Sequence, residues 1–179
     1  ALFLQFLVGG VPAQAVPALR ISNVSVTGSQ VNIALNNKIS PVSANFEYEF
    51  RIDSVDAVAK TIKSKSNSIG AILAPFTKYK VRVRNSAQPK IWTATRTFTT
   101  SSDPVKGLAA ANTSYSSSDI SWLPVQGAKS YDIILNKTPL ISVITTKYTL
   151  TNLKVGSSNS VEIRAKSDAT LGAISTPIT

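Results

Sequence analysis

Histidine, cysteine and methionine do not occur anywhere in the 179 residues. Without cysteine there is no disulfide, no thiolate metal ligand and no thiol nucleophile. Without histidine the chain lacks the side chain that most often serves as general acid or base near neutral pH. Catalysis is left to Ser, Thr, Tyr, Lys and nine carboxylates. No glycine-rich phosphate loop, serine elbow or zinc-ligand spacing is present, and no uninterrupted helical periodicity reaches ten residues. The missing cysteines leave the redox compartment open, because a sandwich with a good core needs no staple. The missing methionine means that the sequence as written does not start at an initiator. It reads as beginning at a processed or truncated end.

Hydrophobic residues make up 43% of the chain, too many for a disordered polypeptide. Val, Ile, Thr and Ser are abundant and aromatics are sparse, a composition that suits pleated, half-buried strands. The formal net charge is +10 and is unevenly spread. Residues 1–100 hold twelve Lys and Arg against four acids, and the remainder holds seven against five. The basic excess therefore belongs mostly to the first half.

Residues 1–15 read ALFLQFLVGGVPAQA, and seven of the first eight are apolar. The run is too short to cross a bilayer, which needs about 20 apolar residues, so no transmembrane segment is expected. Two readings stand. An apolar stretch ending in Ala13-Gln14-Ala15 matches the core and cleavage site of a secretory signal. Alternatively Leu2, Phe3, Leu4, Phe6, Leu7 and Val8 form an assembly arm that docks on another copy, with Gly9, Gly10 and Pro12 as its hinge. Either places the protein outside the cytoplasm or in an assembly.

From Val16 onward short alternating runs are separated by turn signals, the pattern of a β-sandwich. Val24, Val26 and then Val31, Ile33, Leu35 flank the turn Thr27-Gly28-Ser29. Phe46, Tyr48, Phe50 and Ile52 alternate with Glu47, Glu49 and Arg51, and Tyr79, Val81 and Val83 alternate with Lys78, Lys80, Arg82 and Arg84. After a linker at residues 101–103 a second unit repeats these features through Ile120, Trp122, Tyr131, Ile133, Tyr148, Leu150, Val161 and Ile163. The predicted division is an arm or signal remnant at 1–16, a first domain at 17–101 and a second at 102–179.

Leu73, Pro75, Thr77, Tyr79, Val81 and Val83 resemble the L-x-P-x-T-x-Y-x-V-x-V run of fibronectin type III domains. Thr97-Phe98-Thr99-Thr100 after Trp92 looks like that family's last strand, and Ile120 to Pro124 with Gly127-Ala128 before Tyr131 like its second and third. The resemblance, to the bacterial extracellular type, implies an all-β chain of two tandem immunoglobulin-like sandwiches. It makes Tyr79 a structural corner whose hydroxyl bonds the chain just upstream. The second unit departs from the pattern, with Asn159 where the corner tyrosine belongs. The resemblance also makes Trp92 and Trp122 core anchors.

Lys78, Lys80, Arg82 and Arg84 fall on one strand face, with Arg51 and Arg96 on flanking strands and Lys60, Lys63 and Lys65 near the sheet edge. They read either as a solvated face whose edge lysines discourage strand pairing or as a candidate polyanion-binding face for an acidic cell-surface polysaccharide. No aromatics interleave with them, which argues against nucleic acid. Glu47 and Glu49 read as cross-strand partners of Lys80 and Arg82 rather than as a glycosidase pair. Asp53 and Asp56 are too few for calcium, and the sequons at Asn23, Asn112 and Asn136 carry no assignment. No catalytic residue, metal, cofactor or small-molecule substrate is expected. The expected function is a non-catalytic, secreted or cell-surface structural or adhesive protein, with a filament or layer built by the arm. The alternatives are an accessory module of a secreted polysaccharide-active enzyme and a virion surface protein.

Overall fold

The computed structural model of the chain describes residues 18–36 and 45–179. The arm residues Leu2, Phe3, Leu4, Phe6, Leu7 and Val8 lie outside the described residues. Everything described is strand, turn or loop, and no helix is long and apolar enough to cross a membrane.

Among the described residues seven strands form the first unit: β1 (Ile21–Thr27), β2 (Gln30–Leu35), β3 (Phe46–Ile52), β4 (Val58–Ser64), β5 (Ser68–Ile72), β6 (Lys78–Asn85) and β7 (Arg96–Thr99). They make a three-stranded sheet in the order β1-β2-β5 and a four-stranded sheet in the order β4-β3-β6-β7. The second unit has β8 (Ala109–Ala111), β9 (Ser118–Ser121), β10 (Ser130–Leu135), β11 (Thr138–Val143), β12 (Lys147–Leu150), β13 (Val161–Lys166) and β14 (Leu171–Ile174). Its sheets, β12-β9-β8 and β11-β10-β13-β14, repeat the first unit's order strand for strand. All pairings are antiparallel.

The alternation of the sequence becomes the two faces of each strand. Along β3, Phe46, Tyr48 and Phe50 are buried while the Glu and Arg residues between them are partly exposed. Tyr79, Val81 and Val83 of β6 do the same opposite Ile52, Phe50 and Tyr48. These side chains, with Ile21, Val31, Ile33, Leu35, Ala71 and Leu73 from the other sheet side, form the first core. The second core gathers Val105, Ile120, Trp122, Tyr131, Ile133, Leu150, Val161, Ile163 and Ala165. The hairpin between β10 and β11 turns on Asn136 and Lys137, both at positive φ, as a two-residue type I′ turn requires.

The segment expected to be a linker is packed into the joint: Ser102 is buried and Ser101 half-buried, with Asp103 exposed and Thr100 buried just before it. Thr100 and Ser102 are 0% and 1% exposed. The Thr100 hydroxyl donates to Ala74 O at 2.7 Å and accepts from the Thr77 N–H at 3.0 Å. The Ser101 N–H donates to Gly28 O, the Ser29 N–H to Asp103 Oδ1 at 3.2 Å, and the Ala173 N–H to Ser102 O. Phe76 packs against the second core. Gly28 holds φ at +60°, and a Cβ there would stand 2.1 Å from Asp103 Oδ1, so glycine is strongly favoured where the first turn meets the joint.

Candidate interaction surfaces

Cross-strand register decides what the basic row does. Glu49 stands opposite Arg82, Glu47 opposite Arg84 and Arg51 opposite Lys80 on the outer face of β3 and β6. Ion pairs follow: Arg82–Glu49 at 2.8 Å, Arg84–Glu47 at 2.9 Å, and Lys78 and Lys80 to the two oxygens of Asp53 at 3.1 and 3.0 Å. Arg51 reaches Glu49 at 3.2 Å and Asp56 at 3.1 Å. Hydrogen bonds from Lys80 and then Lys78 hold the Asp53 carboxyl below its ordinary range. The hydrogen bonds that Arg51 donates to Glu49 and Asp56 push its guanidinium higher.

Five cations thus share one face with all four carboxylates of the first unit, and the row is close to neutral. A polyanion binding there would compete with carboxylates already in place. Asp53 and Asp56 are held by cations. Arg96 stands opposite Val81 and takes the parity of the core row, so it lies exposed at the sheet edge outside the face. Lys63 pairs across from Glu47, whereas Lys60 pairs opposite Phe50 and its ammonium donates to Ile72 O at 3.3 Å.

Trp92 is not a core anchor. It bridges to Arg84 and therefore shares that residue's outward parity. Its ring lies 4.2 Å from the Arg82 guanidinium carbon and 4.4 Å from that of Arg84, so the indole covers two ion-paired arginines. Trp122 is buried in the second core with its ring 5.5 Å from Tyr131. Sequence reasoning put both tryptophans inside. Separating them requires the register of an isolated bridge, which no local pattern encodes.

The corner is built in one unit only. Tyr79 is buried, and its hydroxyl accepts the Ala74 N–H at 3.2 Å. In the second unit Asn159 is half-buried and its carbonyl accepts from Asn136 Nδ2 at 3.0 Å. Where a tyrosine would have filled the space between the sheets, a cavity of about 630 Å³ opens. Ile120, Leu150, Leu153, Val161 and Ile178 line its apolar walls, with Tyr115, Ser157 and Asn159 around them. No sequence signal marked this cavity beyond the departure at position 159 itself.

Among the described residues no group of three or more His, Cys, Asp or Glu could hold a metal ion. The family model described as fibronectin type III domain matches residues 103–179. A two-domain fibronectin type III segment of chicken tenascin is 19% identical, with a TM-score of 0.56 and coverage of 90% of this chain and 94% of that one. The FN1–FN3 domains of chicken CNTN1 are 17% identical with a TM-score of 0.39. A central fibronectin III array of RIM-binding protein is 23% identical with a TM-score of 0.38. The match spans 90% of this chain in both cases, and 64% and 61% of those longer chains. No curated protein sequence matches.

Proposed function

We propose that this chain, whose residues 103–179 are a fibronectin type III domain and whose two units have the tandem fibronectin type III fold, is a non-catalytic, exported surface protein. Its role is structural or adhesive, and its modules bind protein or cell-surface polysaccharide. The modules divide at residues 101 and 102, with residues 1–16 preceding them as the arm. The observation that carries the non-catalytic reading is that every carboxylate of the first module is engaged in an ion pair with a neighbouring cation. In a chain without histidine or cysteine, this leaves that module no free acid or base of the usual kind.

Self-assembly through the arm supplies the structural role. Burying one Leu or Phe gains roughly 1.5–3 kcal/mol, so Leu2, Phe3, Leu4, Phe6, Leu7 and Val8 together favour a protein partner over water. Sedimentation of the full chain beside a version lacking residues 1–8 tests this. Assemblies are expected from the first and monomers from the second, with the same β-sheet circular dichroism in both. A mature native chain that mass spectrometry finds to begin at Val16 overturns the assembly reading, because the arm would then be a removed signal.

A further inference from the structure

We propose that the cavity at the missing corner of the second module receives the arm, residues 1–8, of another copy of the chain. This rests on the assembly reading above and adds the surface that accepts the arm. The cavity lies between the β8–β9 turn and the segment joining β12 to β13, and Ile178 and Thr179 close one side. In the first module the matching end is occupied twice over. Tyr79 seals the corner, and the second module covers the end through Ser29–Asp103 and Phe76. In the second module Asn159 leaves the same end open, onto the core residues Ile120, Leu150 and Val161.

The chemistry of the arm fits that opening. Lys154 is the one charged residue among those lining the cavity, and residues 1–17 carry no charge at all. An extended strand would place Leu2, Leu4, Phe6 and Val8 on one face and Gln5 on the other. The volume lies within the range of pockets that bury several apolar groups.

Position also favours a second copy. The Asn36 side chain ties the start of the described chain to the end of β2: the Arg20 N–H donates to Asn36 Oδ1 at 2.9 Å, and Asn36 Nδ2 donates to Ala18 O. The described chain therefore begins at the end of the first module opposite Gly28, Ser29 and the joint. To reach its own cavity the arm would have to run past both modules. Docking head to tail on a neighbour needs no such span, and this heterologous contact repeats without closing, as in a filament.

The absence of native cysteine permits a direct test in the full chain. One preparation carries Phe6→Cys and another Ser157→Cys, and the two are mixed under oxidising conditions. A cross-linked dimer is expected, and none when Lys60→Cys on β4 replaces Ser157→Cys. Adding Asn159→Tyr to the Ser157→Cys chain, to fill the corner, should cut the cross-link at least about tenfold. Val155→Asp should do the same, and since Val155 is 62% exposed at the cavity mouth that variant keeps its fold. Equal cross-linking at Lys60→Cys, or yields unmoved by both cavity variants, overturns this proposal. If the full chain still assembles and loses assembly with residues 1–8 deleted, the arm reading survives that result. A full chain that sediments only as a monomer overturns both.

Discussion

The two modules pair their strands in the same order but close their ends differently. The first brings the run from Leu73 to Val83 round a buried tyrosine whose hydroxyl is bonded to backbone. The second brings Leu153 to Ile163 along the same path with a half-buried asparagine in that place. Yet Val161 and Ile163 keep their register against Leu135 and Ile133, as Val81 and Val83 keep theirs against Phe50 and Tyr48. Strand register is therefore set by the alternation of β6 and β13 and their ladders, and the corner only seals what the sheets have already made. What the second module forgoes in sealing appears as an apolar cavity.

The outer faces show the same device at different strength. Glu47 opposite Arg84 in the first module corresponds to Asp132 opposite Arg164 in the second. Asp132 also takes Lys166 at 2.7 Å and a short bond from the Ser142 hydroxyl. Burial alone would raise its carboxyl, but the bonds from Lys166, Ser142 and Arg164 together outweigh that and bring it down to about 2. The first module spreads its ion pairs over four acids, whereas the second places two on Asp132 and one, from Lys137, on Glu162.

The comparison breaks first at the cores if it is wrong. Phe50 and Ile163 are both 0% exposed. Phe50→Ala is expected to cost about 3–5 kcal/mol and Ile163→Ala about 2–5 kcal/mol in urea unfolding. A cost below about 1 kcal/mol at either position would mean that the two cores are not comparably packed.

Acid sharpens it next. A carboxylate whose folded value is depressed contributes stability above its unfolded value of about 3.9, and loses it as pH falls through the folded value. The second module should thus lose roughly 2 kcal/mol between about pH 4 and pH 2 on account of Asp132. Asp132→Asn should flatten that part of the profile when unfolding is followed across the range. An unchanged slope would place the linkage elsewhere.

The smallest effect tests the corner. Tyr79→Phe removes a bond to the Ala74 N–H and should cost about 1 kcal/mol, while Asn159→Ala should cost only a few tenths. Equal losses in chemical denaturation would mean that Asn159 seals its module through Asn136 as firmly as Tyr79 seals the first.

Period-two alternation is local, so the sequence alone determined the all-β class, the strongly alternating strands such as β2, β3, β6, β10 and β13, and the inward row of Phe46, Tyr48, Phe50, Tyr79, Val81 and Val83. The corner tyrosine and its absence at position 159 were equally plain. Partnership is not local. That Glu47, Glu49, Asp53 and Asp56 consume most of the basic row depends on which residues face one another across β3 and β6. That Arg96 falls outside the row, and that Trp92 covers arginines while Trp122 fills a core, depends on single bridges between distant residues. The buried joint at Thr100 and Ser102 and the open cavity at Asn159 were decided only by tertiary structure. Both are properties of space left or filled between elements, and a linear pattern carries no measure of that space.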